Sequence, residues 1–339
     1  MKAWLVLLLP ALGAGCGSFV AHRMTQAPNT YPTWLAPSAR VLLSFNANLL
    51  TNFPPRFADV GPPPARLHYR VVSPAEYHLE MTSTNWLKRG RTQFQFTFDA
   101  EVPARTNTWT AAPRGTVVLL HGYGLAEFAM APWALRLAQE GWRCVLVDLR
   151  GHGKSTGRKV YFGLKESRDM AQLLDVLAQN GELAPPVALL GDSYGATLAL
   201  RWKTEDPRVA TVVAIAPYAV LSNAVLNICH EYASWLPRAV LKAGLKRLPV
   251  RLDVPDDDLN TTTVLARNPV VGLFVAGTGD KVAPLTEVRR LFEQAMPGSE
   301  LIEVPGAIHE TVSCHFSELV PPVLAWLNTI APSLQGPAT

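Results

Sequence analysis

Ten residues, Val187 to Ala196, constrain this chain more than any others. They read Val-Ala-Leu-Leu-Gly-Asp-Ser-Tyr-Gly-Ala. This is an apolar strand leaving Pro185-Pro186, a Gly-x-Ser-x-Gly turn, and a helix over roughly Tyr194 to Lys203 that ends before Pro207. A serine at the tip of so sharp a strand-to-helix turn sits in a strained backbone conformation, and a Cβ at Gly191 or Gly195 would strike the adjoining strand or helix. The strain lifts the Ser193 hydroxyl clear of the sheet. It also places it at a helix N-terminus, where free N–H groups favour developing negative charge. Five such residues also arise by chance, so the reading depends on whether the chain supplies partners for Ser193.

The surrounding pattern supplies a scaffold. Thr116 to Leu120, Trp142 to Asp148, Val187 to Leu190, Val209 to Ala216, Val270 to Ala276 and Glu300 to Val304 read as strands. Helices are expected at about Phe128 to Glu140, Lys165 to Asn180, Thr286 to Ala295 and Val320 to Ile330. Continuous apolar strands alternating with helices mean an α/β fold, a mostly parallel, doubly wound sheet covered on both faces. Such sheets carry their sites beyond the C-terminal ends of the strands. Ahead of them, Leu67 to Val72, Tyr77 to Thr82 and Phe94 to Phe98 read as strands of an antiparallel N-terminal hairpin.

Acyl transfer by a serine needs a base, a carboxylate to orient that base, and donors for the oxyanion. Of the histidines after Ser193, only His309 lies in a short loop between a strand and the last helix; His230 falls in a long interruption of the pattern and His315 is further along. Asp280 lies in the turn Gly277-Thr278-Gly279-Asp280, just after a strand, and leads over Asp253 and Asp256 to Asp258, which no strand precedes. The same Asp280 could instead merely cap backbone N–H groups in a Gly-rich turn. The N–H groups of Tyr194 and Tyr123 are the expected oxyanion donors. His121 reads as a buttress of its loop, and Asp192 as structural or substrate-facing.

The set His121-Gly122-Tyr123-Gly124, Asp148-x-x-Gly151-His152-Gly153-Lys154-Ser155, Gly191-Asp192-Ser193-Tyr194-Gly195, Gly277-Thr278-Gly279-Asp280 and His309 resembles the α/β-hydrolase superfamily, in its monoacylglycerol-lipase-like and serine-aminopeptidase-like branch, over about Thr116 to Ile330. The resemblance implies a serine hydrolase cleaving carboxylic esters through an acyl-enzyme on Ser193, with Asp280 and His309 completing the triad. It also implies a cap over the site, inserted at about 218–267. In that cap Leu236, Val240 and Ala243 can share one helix face, and Arg238, Lys242 and Lys246 another. An aminopeptidase-type peptidase is the alternative; it would use a cap acid such as Glu231, Asp253 or Asp256 to Asp258 to grip an amine. A hydrolase-like binding module is a third reading. Thioesters and lactones use the same machinery.

Neither a metal nor a cofactor is implied, and the net charge of +4 is too small and scattered to argue for nucleic acid. The N-terminus reads as a targeting segment: Lys2, an apolar run from Ala3 to Gly15, then Cys16. Leu12-Gly13-Ala14-Gly15-Cys16 resembles a bacterial lipobox, with its leucine one position early, and an ordinary secretory signal or an uncleaved anchor is the alternative. Lipidation at Cys16 would place the protein on the cell envelope, and Gly17-Ser18 after it leans to the outer membrane by the same resemblance. Residues 17–65 read as a Pro-rich tether with one short helix around Ser38 to Leu50, and 66–339 as the catalytic domain. Cys144 reads as a buried small hydrophobe. Cys229 and Cys314 could pair in an oxidising compartment, although their sequence positions do not decide it.

Overall fold

The computed structural model of the chain describes residues 16–30, 41–45, 49–88, 91–102 and 111–331. The expected targeting segment before Cys16, and the side chain of Cys16 itself, lie outside them.

Eleven strands form two sheets among these residues: β1 Val41–Phe45, β2 Arg56–Val60, β3 Ala65–Val72, β4 His78–Lys88, β5 Arg91–Glu101, β6 Thr116–Leu120, β7 Arg143–Val147, β8 Val187–Asp192, β9 Val209–Ile215, β10 Gly272–Gly277 and β11 Glu300–Val304. The larger sheet runs β11-β10-β9-β8-β6-β7-β3-β2. Its β6 to β11 pair in parallel, and β3 and β2 close one edge antiparallel. The helices are α1 Cys16–Thr25, α2 Ala131–Gln139, α3 Glu166–Gln179, α4 Tyr194–Glu205, α5 Leu221–Tyr232, α6 Arg238–Leu245, α7 Leu248–Leu252, α8 Thr261–Arg267, α9 Leu285–Phe292 and α10 Phe316–Asn328.

The parallel strands are apolar without interruption because both faces are covered. Val118, Leu120, Val145, Val147, Leu189, Val212 and Phe274 enter one core cluster. Their chain neighbours Val117, Leu119, Leu146, Ala188, Leu190, Val213 and Leu273 enter a second on the opposite face. Alternate residues of one strand thus serve two cores, as period-two side chains must. Cys144 sits in the second cluster, where burial pushes its thiol pKa far up, as a small hydrophobe would.

The chain lays β7 on one side of β6 and then winds β8 to β11 away on the other. The order therefore reverses between β6 and β8, and a crevice opens past their C-terminal ends. The elbow after β8 and the His121-Gly122-Tyr123-Gly124 loop after β6 both lead into it.

The N-terminal third departs from its reading. Residues 17–65 do not form a tether over their described part, which carries α1, β1 and β2. In place of a helix near Ser38 to Leu50 there is β1 and a single 3-10 turn, Leu49–Asn52. The reason is a partner: Val41, Leu43 and Phe45 stand opposite Phe94, Phe96 and Phe98 of β5 and share one apolar face with them. The expected three-strand hairpin also divides. Ala65–Val72 joins the main sheet between β2 and β7, whereas β4 and β5 pair with each other and with β1 in a separate three-stranded sheet. Finally, α10 starts at Phe316 rather than Val320 and carries Pro321 and Pro322, because burying Leu319, Val323, Trp326 and Leu327 outweighs the lost hydrogen bonds.

Candidate active site

Ser193 occupies φ 53°, ψ −110°, a region L-residues with a Cβ rarely adopt. Its N–H donates to the Ile215 carbonyl at 2.8 Å, tying the turn to β9. The flanking glycines are required for the steric reason the sequence suggests. A Cβ on Gly191 would press into the Gly195 carbonyl, and one on Gly195 into the Leu120 carbonyl at the end of β6. That second contact seats the loop after β6 directly on the elbow.

His309 follows β11 and Asp280 follows β10, and the two loops are zipped together. Thr278 N donates to Val304 O and Gly279 N to Ala307 O, each at 3.0 Å, and Gly306 N donates to Thr278 Oγ1 at 2.8 Å. Gly277 and Gly279 leave room for this, since a Cβ on either would meet the 306–307 backbone. Asp280 then does two things at once. Its Oδ1 accepts from Val282 N and Ala283 N at 2.8 Å, and its Oδ2 accepts from His309 Nδ1 at 2.7 Å. With Nδ1 protonated, His309 presents a bare Nε2 to the Ser193 hydroxyl, 2.8 Å away. Burial disfavours the charged imidazole, but the hydrogen bond and charge of Asp280, joined by the charge of Asp192, outweigh it and raise the His309 pKa.

The rivals lie elsewhere. His230 is exposed on α5, and His315 pairs with Glu318. Asp253 is an exposed residue past the end of α7, and Asp257 and Asp258 pair with Arg267. Cys229 and Cys314 are both free.

Tyr194 opens α4 and Tyr123 lies in the loop after β6, and their rings meet edge-to-face at 5.9 Å. Neutral His121, its pKa lowered by burial, donates from Nδ1 to the Gly122 carbonyl at 2.8 Å and accepts from Leu149 N at Nε2 at 3.0 Å. It braces the loop, as its position suggests.

Two features go beyond the roles that the sequence suggested. Asp192 is the first: it lies beside Gly122 and Ser313 and within the field of His309 and Asp280, and burial pushes its carboxyl up to about 6. The second lies beneath the loop after β6, where Asp148 accepts from Glu127 N at 2.7 Å, from Lys154 N at 2.8 Å and from His68 Nδ1 at 3.0 Å, while Arg70 Nε donates to Glu127 at 2.7 Å. Gly153 at φ 48° admits this carboxylate, which explains the spacing of Asp148 and Gly153. His68 and Glu127 carry no motif; only the fold brings them to Asp148. Among the described residues His68, Glu127 and Asp148 are also the one group with metal-ligand proximity, their donor atoms within 4.8 Å of one another. A cation there would displace the His68–Asp148 hydrogen bond and face the Arg70 guanidinium, so the cluster has the chemistry of an ion-pair network.

Comparison with known proteins agrees with this architecture. The serine aminopeptidase (S33) family model matches residues 111–271. A monoacylglycerol lipase of Mycolicibacterium smegmatis is 29% identical over 173 residues, 50% of this chain and 58% of that protein. An uncharacterised Bacillus subtilis protein, YqkD, is 21% identical over 184 residues, 53% of this chain and 59% of its own length. The chain thus spans somewhat under two thirds of these curated relatives. Among solved structures, the Pyrococcus furiosus esterase Pf2001 superposes with a TM-score of 0.61 at 19% identity, covering 87% of this chain and 98% of that one. A Pseudomonas aeruginosa hydrolase gives 0.54 at 19% identity, covering 80% and 98%. With a mostly parallel sheet and a strained Gly-x-Ser-x-Gly elbow at its topological switch point, this chain has the α/β-hydrolase fold, and its residues 111–271 are similar to the serine aminopeptidase (S33) family.

Proposed function

We propose that the protein is a serine hydrolase that cleaves carboxylic esters. The observation that carries this reading is the continuous relay from Ser193 Oγ to His309 Nε2 at 2.8 Å and from His309 Nδ1 to Asp280 Oδ2 at 2.7 Å, with Ser193 strained at the elbow. In this reading His309 takes the hydroxyl proton as Ser193 attacks the ester carbonyl. Asp280 holds the tautomer and stabilises the imidazolium. The N–H groups of Tyr194 and Tyr123 receive the developing oxyanion. His309 then protonates the leaving alcohol, and water, deprotonated by His309, releases the acid and regenerates Ser193.

The test is turnover of p-nitrophenyl esters from acetate to palmitate, beside aminoacyl p-nitroanilides, with Ser193→Ala as control. Ester turnover lost in the variant is expected. Anilide turnover without ester turnover would replace this reading with the peptidase. Two of the acids that reading would use, Asp257 and Asp258, are engaged by Arg267. Lipid attachment at Cys16 belongs to the same proposal, supported by the lipobox-like sequence, and the intact mass of membrane-extracted protein tests it.

A further inference from the structure

We infer that the face built from α1, α6 and α7 docks on an anionic phospholipid bilayer. Three independent observations converge on this face.

The first is how α1 is held. It crosses α6 closely enough that a Cβ on Gly17 would meet the Ala243 carbonyl at 2.7 Å, and one on Gly244 would run into Val20. Arg247 donates to Ser18 Oγ at 3.1 Å, and Arg251 donates to Thr25 Oγ1 at 2.8 Å and to His22 Nδ1 at 2.6 Å. The residues after α1 are fastened to the core: Val160 N donates to Thr25 O at 2.9 Å and Asn29 N to Gly151 O at 3.1 Å. The helix is therefore part of the cap surface and not a free leash.

The second is where the rest of the chain joins. The apolar run Ala3 to Gly15 meets the described protein at Cys16, next to the Gly17–Ala243 crossing. Whether the run is retained as an uncleaved anchor or removed in favour of a lipid on Cys16, the N-terminal attachment to a membrane leaves the protein at this face.

The third is charge and exposed apolar surface. Residues 233–252 contain Arg238, Lys242, Lys246, Arg247 and Arg251 and no acid, and the first acidic residue of the whole chain is Asp59. Lys242 and Lys246 are exposed, one turn apart on α6. On α7 Val250 is 85% exposed, and just ahead of α6 Trp235 is 54% exposed. Basic side chains interleaved with exposed valine and tryptophan fit an interface of acidic headgroups over acyl chains. The acids nearest in sequence flank the stretch, Glu231 before it and Asp253 and Asp256 after it, so the five basic residues remain in excess, and Asp257 and Asp258 beyond them are paired with Arg267.

The test uses the processed chain, residues 16–339 with Cys16→Ser, which carries neither the apolar run nor a lipid, sedimented with vesicles of phosphatidylcholine alone or with phosphatidylglycerol added. Binding is expected only with phosphatidylglycerol and is expected to fall with salt. Lys242→Glu with Lys246→Glu should weaken it about tenfold or more, and Val250→Asp should weaken it further. The charge-matched pair Arg66→Glu with Lys88→Glu, on β3 and β4, should not. Equal loss in both pairs, or equal binding to neutral vesicles, would overturn the inference. Unchanged thermal melting of each variant excludes misfolding, and because the readout is binding, the result does not depend on the reaction the site performs.

Discussion

Two carboxylate–imidazole pairs lie toward the C-terminal ends of the parallel strands, one past β10 and β11 and one between β3 and the end of β7, and they differ in what the second nitrogen meets. Asp280 holds His309 at 2.7 Å, and Asp148 holds His68 at 3.0 Å. The far nitrogen of His309 faces the Ser193 hydroxyl, and the His309 side chain keeps 15% of its surface exposed. The far nitrogen of His68 is buried without a hydrogen-bond partner, and its side chain has no exposed surface. One imidazole can exchange a proton with something that moves; the other is locked between Asp148, Glu127 and Arg70. A short acid–histidine contact is therefore not itself a mark of catalysis. What counts is what the second nitrogen meets.

Breaking the first pair's function gives the largest expected effect. Ser193→Ala should lower ester turnover by about 10⁴-fold or more while leaving the melting temperature within a few degrees, read by p-nitrophenyl ester assay and calorimetry. Asp280→Asn should cost a comparable factor, because the tautomer of His309 is no longer dictated.

Breaking the second pair should show the opposite signature. Asp148→Ala leaves His68 Nδ1 and the Glu127 and Lys154 N–H groups without their shared acceptor, and about 3–5 kcal/mol of stability should be lost in urea titration. Turnover per folded molecule should fall much less than in Asp280→Asn. Equal catalytic damage from Asp148→Ala and Asp280→Asn would erase the distinction.

A smaller effect tests the connection between the regions. Gly195→Ala drives a Cβ into the Leu120 carbonyl and should destabilise by about 1–3 kcal/mol. It should also reduce kcat, because the strand it displaces leads into the Tyr123 loop.

The smallest expected effect is on pH. In the proposed reaction His309 serves as base only when neutral, and its pKa is raised, so kcat/KM should climb with pH through a value above that of an ordinary histidine. Asp192→Asn removes one of the charges that raise it, so the limb should move to lower pH, by less than about one unit. Asp280→Asn removes the larger contributions and should move the limb further in the same direction. A limb that moves upward in Asp192→Asn would show that the field of this carboxylate does not reach His309.

Legibility followed the range of the interactions. The elbow could be read because Gly191 answers a clash with Gly195, four residues on, and the parallel strands because each is apolar on both faces over a short run. Ser193, Asp280 and His309 could be placed because each directly follows a strand. The N-terminal third could not be read this way. Val41 to Phe45 is a strand only because β5 lies beside it, and Ala65–Val72 is buried only because β7 accepts its edge. Asp192 was visible as a neighbour of Ser193, but its charge matters through Asp280 and His309, many residues away.

By itself, then, the sequence determined the α/β layering, the strained serine, and the order nucleophile, acid, base, because local sterics and side-chain periodicity act within a few residues of one another. Tertiary structure alone decided that Asp280 would spend one oxygen on its own turn and the other on His309. It likewise decided that His68, Glu127 and Asp148 would form a locked network, and that Cys16–Thr25 would lie on the cap. Each of those depends on groups far apart in the chain reaching hydrogen-bond distance, which only the completed packing of the sheet imposes.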